Sequence, residues 1–152
     1  MKIIKLTHSK KAIVDDEDFE YLNKWKWHFD GHYARRRDYK PNKLIRMHTQ
    51  IIKIPLGKET DHKNGNKLDN RKENLRIASR SENLMNKSMQ KNNTSGFRGV
   101  YWSKIVSKWM AYIKKNGKRY HLGYYINIYD AAKAYNLAAD KMFGEFARFN
   151  KI

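Results

Sequence analysis

The chain has 152 residues, of which 33 are lysine or arginine and 15 are aspartate or glutamate, so its formal net charge is +18. It contains no cysteine, which excludes disulfide scaffolds and cysteine-ligated zinc sites. The length fits one domain or two small ones, and the apolar runs are too short for a transmembrane helix or a signal peptide. The sequence therefore predicts a cytoplasmic protein with no membrane partner.

The positive charge is spread along the whole chain and is mixed with aromatic residues, which make up 13% of the composition. A polyanion is the default partner of such a sequence, and nucleic acid is the first candidate. The spread of charge favours an extended footprint along double-stranded DNA over a single basic arm. No obligate protein partner is indicated, and a basic surface that only confers solubility is the alternative interpretation.

The region up to residue 56 alternates short strand-like runs with turns. Strands are predicted at 2–6 and 11–14, and the acidic run 15–18 is predicted to cap a short helix. Two further strand runs, 33–39 and 43–48, flank a proline-containing turn and are predicted to form a hairpin. These elements together predict a β-rich N-terminal platform.

The aromatic and the basic side chains of this platform receive different interpretations. Packing is the favoured role of its aromatic residues, which are expected to fill a small core: Trp25, Trp27 and Phe29. The hairpin carries more arginine than solubility requires, so we expect phosphate contacts from some of these side chains. The DNA-binding candidates are Arg35, Arg37 and Arg46.

A segment rich in asparagine, glycine and charge begins at Asp61 and reads DHKNGNKLDNRKENLRIASRSENL. Its Asn-Gly-Asn at 64–66 is a turn signal, residues 75–78 have the pattern of a short strand, and Ser79 with Glu82 forms a capping box. The predicted order is therefore strand, loop, strand, helix. The helix is predicted to begin at about residue 80 and to extend through Met89.

Asp61, His62 and Asn83 supply the groups that phosphodiester hydrolysis requires, namely an activated water molecule and stabilised charge on the phosphate and on the leaving oxygen. Asp61 and Asn83 carry hard oxygen donors suited to Mg²⁺, which takes few protein ligands and keeps several waters. The imidazole of His62 suits a general base. His48, upstream, is predicted to contact DNA or to brace this segment, with a core hydrogen bond as the equal alternative.

The segment resembles the HNH motif of homing endonucleases, a ββα-metal finger, over about residues 48–90. The Asp-His pair, the Asn-Gly-Asn turn, the internal Asn-Leu and the Ser-Glu-Asn helix start occur in the family's order. The resemblance implies that Asp61 and Asn83 hold the metal and that His62 is the base. It also implies that Asn74 is a structural asparagine that bridges the loop and fixes the orientation of the histidine. Asn83 stands where the family's name expects a histidine, and its neutral oxygen favours Mg²⁺ or Mn²⁺ over zinc.

A polar stretch at 89–96 is predicted to be a linker, and three strand runs and one helix follow it. The strand runs are 98–102, 108–114 and 119–125. Asn116-Gly117 is a strong hairpin signal between the last two runs. The alanine-rich helix predicted at 129–143 is expected to lie on the sheet through one face: Ala131, Tyr135, Ala138 and Met142.

Alternation within these strands separates an apolar face from a basic one. In the run 108–114 the odd positions are apolar, whereas lysine, methionine and tyrosine occupy the even positions. The apolar face is therefore expected to pack on the helix. The opposite face, with Lys114 and Arg119, is expected to enter the major groove of DNA.

The C-terminal region resembles the plant Apetala-type, or ethylene-response-factor, DNA-binding domain from residue 94 to residue 150. The resemblance is carried by SGFRGVYW, YHLGYY, the DAAKAY helix start and the closing FGEFARFN. It implies DNA contacts at five positions: Arg98, Tyr101, Lys114, Arg119 and His121. Tyr101 and His121 depart from the arginine and tryptophan common in plant members, so the resemblance implies the fold but not the plant target sequence.

The sequence as a whole predicts an α+β protein with an HNH nuclease domain at 1–91, whose finger spans about 57–91, and an ethylene-response-factor-type domain at 92–152. The second domain is expected to be a three-stranded antiparallel sheet packed on one helix. The predicted function is a metal-dependent homing-type endonuclease that hydrolyses phosphodiester bonds in duplex DNA, one strand per monomer. The alternatives are a non-catalytic sequence-specific DNA-binding regulator that retains the finger as a scaffold, and an RNA-binding or ribosome-associated protein.

Overall fold

The structure is a computed structural model that describes residues 1–152. It contains four small antiparallel sheets and four α-helices, which confirms the predicted α+β class. The chain divides into two compact units, residues 1–79 and residues 80–152, which are described separately below. No helix combines the length and the apolar character needed to cross a membrane.

Unit 1 is built from short strands because turn residues interrupt its apolar runs every few positions. Its sheets have the orders β1-β2, β3-β4-β5 and β6-β7. The strands are β1 (Lys2–Lys5), β2 (Lys11–Val14), β3 (His28–Phe29), β4 (Ala34–Tyr39), β5 (Asn42–Arg46), β6 (Glu59–His62) and β7 (Leu75–Ala78). The helices are α1 (Asp16–Leu22) and α2 (His48–Ile51).

The core of unit 1 lies where β1, β2 and α1 meet the chain before β3. Leu22, Met47 and Val14 have no exposed surface, and Trp27 is 3% exposed. The indole Nε1 of Trp27 donates to the carbonyl oxygen of Leu22 at 2.8 Å, so this buried polar atom is satisfied. The other two aromatic residues are partly buried against the same core, which confirms the prediction for all three.

The loop between β6 and β7 is attached to β2 by backbone hydrogen bonds. Ile13 N–H donates to the carbonyl of Leu68, and the N–H of Asn70 donates to the carbonyl of Ile13, both at 2.8 Å. Asp15 occupies the N-cap position of α1, but its carboxylate accepts from the N–H of Lys72 at 2.8 Å and makes no cap bond. These contacts hold a polar loop in one conformation against the rest of unit 1.

Unit 2 is a three-stranded antiparallel sheet of order β10-β9-β8 with a long helix packed on one face, as predicted. Its elements are α3 (Arg80–Met85), β8 (Val100–Ser103), β9 (Lys108–Lys115), β10 (Lys118–Tyr125) and α4 (Ile128–Phe143). The prediction that α3 extends through Met89 is wrong, since the helix ends at Met85. Met85 is buried in the unit 2 core, whereas residues 87–89 are exposed, so no packing supports a further turn.

Helix α4 begins one residue before the predicted position, where the side chain of Asn127 accepts from the N–H of Tyr129 at 2.8 Å. Its fully buried positions are Ala131, Ala132, Tyr135, Ala139 and Phe143. The predicted face is therefore correct at its first two members, and its other two are only partly buried. Small alanine side chains bring the helix axis close to β9, as the composition indicates.

Candidate active site and nucleic-acid interface

Asp61 lies on β6, directly opposite Arg76 on β7, and is 4% exposed. The guanidinium Nε of Arg76 donates to Asp61 Oδ2 at 2.8 Å, and a terminal guanidinium nitrogen lies 2.8 Å from the same oxygen. These hydrogen bonds satisfy a polar group that would be costly to bury alone. Arg76 has no local signal in the sequence, because its contact with Asp61 depends on the pairing register of the two strands.

His62 ends β6 and is as buried as Asp61, with 4% of its surface exposed. Its ring packs edge-on against the ring of His48, with centroids 5.3 Å apart, and lies 6.1 Å from the ring of Tyr33. Burial lowers the pKa of His62 below its usual 6.5, although a hydrogen bond to Asn70 and the carboxylates of Asp61 and Asp69 oppose this effect. The imidazole is therefore neutral at neutral pH, as a base requires.

His48, the first residue of α2, is also buried and contacts the rings of His62 and Tyr33. Burial lowers the pKa of His48 to about 3, with smaller contributions from His62 and Arg46. Its ring thus acts as a neutral packing partner of His62. This geometry favours the bracing role over the DNA contact, the first two alternatives left open by the sequence.

Asn74 bridges the loop between β6 and β7, which is one part of the role that the resemblance implies. Its Nδ2 donates to the carbonyl of Asp69 at 2.7 Å, and its Oδ1 accepts from the N–H of Asn64 at 3.0 Å. The side chain that hydrogen-bonds His62 is Asn70, with 3.3 Å between Asn70 Oδ1 and His62 Nε2. Both polar ends of the Asn74 side chain therefore bond within the loop, and not to His62.

Asp69 is the second buried carboxylate of this region, with 2% exposure. Its two oxygens accept from Arg71 Nε and from a terminal nitrogen of Arg71, each at 2.8 Å, and Oδ2 also accepts from Asn64 Nδ2 at 3.0 Å. These hydrogen bonds, that from Arg71 above all, lower the pKa of Asp69. Asp69 is thus occupied in holding the loop.

The donor set near the Asp-His pair is small. No three histidine, aspartate or glutamate side chains of residues 1–152 form a metal-binding cluster. Mg²⁺ takes one or two protein carboxylates and completes its shell with water and substrate phosphate oxygens, so a single buried carboxylate fits this ion. Asn83 lies in α3 of unit 2, and its role as a ligand remains a prediction from the sequence.

The arginines of β4 alternate between the two faces of their sheet. Arg35 pairs with Arg46 and Arg37 pairs with Leu44, so the three predicted DNA-binding side chains share one face. A cleft of about 490 Å³ opens beside this face. Arg36 points to the other side, where its guanidinium lies 4.4 Å above the ring of Trp25. We call the shared face, with Arg35, Arg37 and Arg46, the arginine face.

Tyr33 connects the arginine face to the Asp-His pair within unit 1. The guanidinium of Arg46 lies 5.0 Å from the centre of the Tyr33 ring, and the ammonium of Lys67 lies 4.7 Å from it. The same ring neighbours His62. Positive charge therefore continues from β4 to the histidine. Lys67 was not identified from the sequence, where it is one lysine among many in a charged loop.

In unit 2 the pairing register places four of the five predicted DNA-binding residues on the sheet face opposite α4. Lys114 pairs with Arg119 and His121 pairs with Tyr112. Tyr101, which pairs with Met110, lies 5.6 Å from Tyr112 between ring centroids. We call this surface the open face of unit 2. Its members are Tyr101, Met110, Tyr112, Lys114, Arg119, His121 and Tyr124.

Arg98, the fifth predicted residue, precedes β8 and lies outside the paired positions of the sheet. Its backbone N–H donates to Asn150 Oδ1 at 2.7 Å, which joins the start of unit 2 to its end. Burial lowers the pKa of its guanidinium, with Tyr135 and Arg148 as electrostatic neighbours. The structure therefore does not group Arg98 with the open face.

A buried Asp-His pair on a hairpin, beside a continuous basic surface, is an arrangement typical of a nuclease. A family model described as HNH endonuclease matches residues 53–85, which include this pair. The chain is 34% identical over 145 residues to a protein of Acanthamoeba polyphaga mimivirus named Uncharacterized HNH endonuclease L560, covering 93% of this chain and 75% of that protein. It is also 34% identical over 120 residues to Protein 3.8 of Escherichia phage T7, covering 75% of this chain and 98% of that protein. No solved structure matches significantly.

The chain therefore belongs to the HNH endonuclease family. It is a DNA endonuclease, a hydrolase that acts on phosphodiester bonds. The similarity to the mimivirus protein spans both units, so the relative shares more than the HNH segment.

Proposed function

We propose that the protein is a metal-dependent endonuclease of the homing type that nicks duplex DNA, with His62 as general base and with Asp61 and Asn83 as metal ligands. The observation that carries the proposal is the burial of Asp61 and His62 side by side at the end of β6. On an exposed loop both side chains would be solvated. Here they are buried and hydrogen-bonded, Asp61 to Arg76 and His62 to Asn70, which supports a catalytic role.

The metal proposal rests on the chemistry of its donors. Asp61 offers a buried anionic oxygen and Asn83 a neutral amide oxygen, which suit Mg²⁺ or Mn²⁺. When bound, such an ion would stabilise the negative charge that develops on the phosphate and on the departing 3′ oxygen. Arg76 donates two hydrogen bonds to Asp61 Oδ2 and so fixes the orientation of the carboxylate.

The protein side chains then account for the proton transfers and for the orientation of the DNA. His62 takes a proton from a water molecule while the oxygen of that water attacks phosphorus. The new oxygen–phosphorus bond forms as the bond from phosphorus to the 3′ oxygen breaks in line. The leaving oxygen acquires a proton from solvent. Lys67 and Arg46, both stacked on Tyr33 beside His62, would hold the neighbouring phosphates.

DNA binding is proposed for two surfaces, each within its own unit. The arginine face of unit 1 would contact phosphates without reading sequence. The open face of unit 2 would enter the major groove, where arginine and lysine can read guanine and tyrosine can contact thymine methyl groups. The second role rests on the resemblance to the ethylene-response-factor domain, which implies DNA contacts from four residues of this face: Tyr101, Lys114, Arg119 and His121. The contact that it implies for Arg98 would lie outside the open face.

A supercoiled-plasmid assay tests the enzymatic proposal. We expect the protein to convert the plasmid to nicked circles in the presence of Mg²⁺, and we expect a chelator to abolish this conversion. His62→Ala should lower the nicking rate at least about 100-fold while DNA binding is retained. His32→Ala is the matched control, because His32 is an exposed histidine of the same unit. Equal nicking by His62→Ala would contradict the assignment of the base, and tight binding without any nicking by the wild type would favour the regulator.

A further inference from the structure

Asn70 is a loop asparagine that is almost wholly buried, with 1% of its surface exposed. Asparagines in loops between strands usually form turns and face solvent. The side chain of Asn70 instead points inward and places Oδ1 3.3 Å from Nε2 of His62. Its burial therefore calls for a role beyond that of a turn residue.

The environment of Asn70 determines which end of its amide faces the histidine. Nδ2 lies 3.4 Å from the carbonyl oxygen of Leu68, to which it donates, and 3.5 Å from the sulfur of Met47. An inverted amide would place two oxygen acceptors together at Leu68, which is unfavourable. The amide oxygen is thus the atom directed at His62.

This orientation fixes the tautomer of His62. An amide oxygen can only accept a hydrogen bond, so Nε2 of His62 must carry the proton. A neutral imidazole has one N–H, and Nδ1 consequently carries the lone pair. That lone pair is what a general base uses to take a proton from water.

The backbone around Asn70 is fixed to a strand of the core. The N–H of Asn70 donates to the carbonyl of Ile13 at 2.8 Å, and the carbonyl of Leu68, which orients the amide, also accepts from the N–H of Ile13 at 2.8 Å. Met47, the other contact of the amide, is fully buried. The acceptor is therefore held in place before DNA binds, as a preorganised site requires.

We propose that Asn70 is a positioning residue that holds His62 in the Nε2–H tautomer and so makes Nδ1 the basic nitrogen. The inference rests on the proposed role of His62 as general base. The resemblance assigns the orientation of the histidine to Asn74, but both polar ends of the Asn74 amide are engaged within the loop. The proposal transfers the direct part of this role to Asn70.

The tautomer can be measured without catalysis. In metal-free wild-type protein labelled with ¹⁵N in its histidines, long-range ¹H–¹⁵N spectra at pH 7.5 should show His62 protonated at Nε2 and unprotonated at Nδ1. In Asn70→Leu, which has the same branching of heavy atoms and no acceptor, the Nδ1–H form should become populated. A wild-type spectrum with the proton on Nδ1 would overturn the proposal, whether or not any variant folds.

Catalysis supplies the second readout. Asn70→Leu should lower kcat for plasmid nicking about 100-fold and leave KM and the DNA Kd within about twofold of wild type, because DNA binding does not use His62. Asn70→Gln, which keeps an amide with both an acceptor and a donor, should recover at least about tenfold of that loss. Asn23→Leu, at an exposed asparagine of the same unit, is the matched control and should nick like wild type.

The outcomes separate this inference from the proposed function. If His62→Ala were inactive and Asn70→Leu fully active, the role of Asn70 would be refuted and the role of His62 would stand. Active His62→Ala would refute the base, and with it the reason for positioning. Equal losses in folded Asn70→Leu and Asn70→Gln would also contradict the proposal, because the acceptor would then not matter.

Discussion

Two neutral histidines packed against each other are an acid-sensitive feature of unit 1. The unfolded chain protonates His48 with its ordinary pKa of 6.5, whereas in the folded protein burial lowers this pKa to about 3. Below pH 6.5 the unfolded state therefore binds a proton at His48 that the folded state does not bind. The stability associated with His48 is complete above pH 6.5 and is lost as the pH falls from 6.5 towards 3.

We therefore predict that the free energy of unfolding of the wild type falls by about 2 kcal/mol between pH 7.5 and pH 5 through His48 alone. Over the same interval the free energy of unfolding of His48→Leu should fall by about 2 kcal/mol less than that of wild type, whatever the stability of the variant at pH 7.5. Urea unfolding at the two pH values measures the difference. His32→Leu, at an exposed site, should keep the wild-type pH dependence, and an unchanged dependence in His48→Leu would show that burial does not hold this ring neutral.

At the scale of residues, the sequence names the side chains of the candidate site but not the partners that hold them. Asp61 and His62 are adjacent in the chain, so any motif that names one also places the other. Arg76 reaches Asp61 through the strand register, and Asn70 reaches His62 through the path of the loop. Lys67 lies over the ring of Tyr33. None of these contacts leaves a local signal in the sequence. Asn70 in particular is indistinguishable in sequence from the turn-forming asparagines around it.

At the scale of elements, the sheet of unit 2 depends on Gly99, where Tyr112 and Tyr135 lie too close for a side chain. This residue has φ +64°, and a Cβ there would lie 2.2 Å from the carbonyl oxygen of Tyr112 and 2.4 Å from a ring carbon of Tyr135. The carbonyl of Gly99 also accepts from the N–H of Tyr112 at 2.8 Å. Both the backbone conformation and the space therefore require glycine.

Gly99→Ala should destabilise the protein by about 3 kcal/mol or more, since backbone atoms cannot yield as a flexible side chain does. Gly117 is the matched control: its φ is +81°, but no atom lies within 4 Å of an added Cβ. Gly117→Ala should thus cost only the conformational strain, about 1–2 kcal/mol. Urea midpoints of the full chain compare the two variants, and equal costs would mean that the contacts with Tyr112 and Tyr135 do not constrain Gly99.

The elements that the sequence predicts well are those with a local signal. Asn116 and Gly117 both have positive φ, which matches the Asn-Gly hairpin prediction, and the alternation of β9 correctly separates its buried and exposed faces. The two-residue strand β3 and the one-turn helix α2 were not predicted, because neither is long enough to show a period. The end of α3 depends on the packing of Met85, which is a tertiary effect.

The arginine face leads to a prediction at the level of the sheet. If Arg35 and Arg37 neutralise phosphates, Arg35→Ala/Arg37→Ala should reduce the salt dependence of DNA binding, lowering the slope of log K against log salt concentration by about 2. Binding should weaken to a similar degree for all duplex sequences. Lys24→Ala, an exposed lysine of the same unit, is the control for net charge alone. A slope unchanged from wild type would place the phosphates elsewhere.

For the molecule as a whole, the proposed division of labour separates cutting from target recognition. In this proposal cutting depends on His62 and the metal ligands, and recognition depends on the open face of unit 2, where Lys114 and Arg119 are paired across two strands. A substitution in the open face and a substitution of His62 should then change different kinetic parameters. This separation is testable in the full chain without dividing it.

Lys114→Ala/Arg119→Ala should raise KM and the Kd for a preferred duplex at least about tenfold, since each good base contact contributes about 1–3 kcal/mol, and should leave kcat at saturating DNA unchanged. His62→Ala should show the reverse pattern, with kcat lost and Kd retained. Lys104→Ala, an exposed lysine of unit 2 outside the open face, controls for charge. If the double variant lowered kcat at unchanged Kd, the open face itself would contribute to catalysis, because a residue that only recognises DNA interacts equally with the ground state and with the transition state.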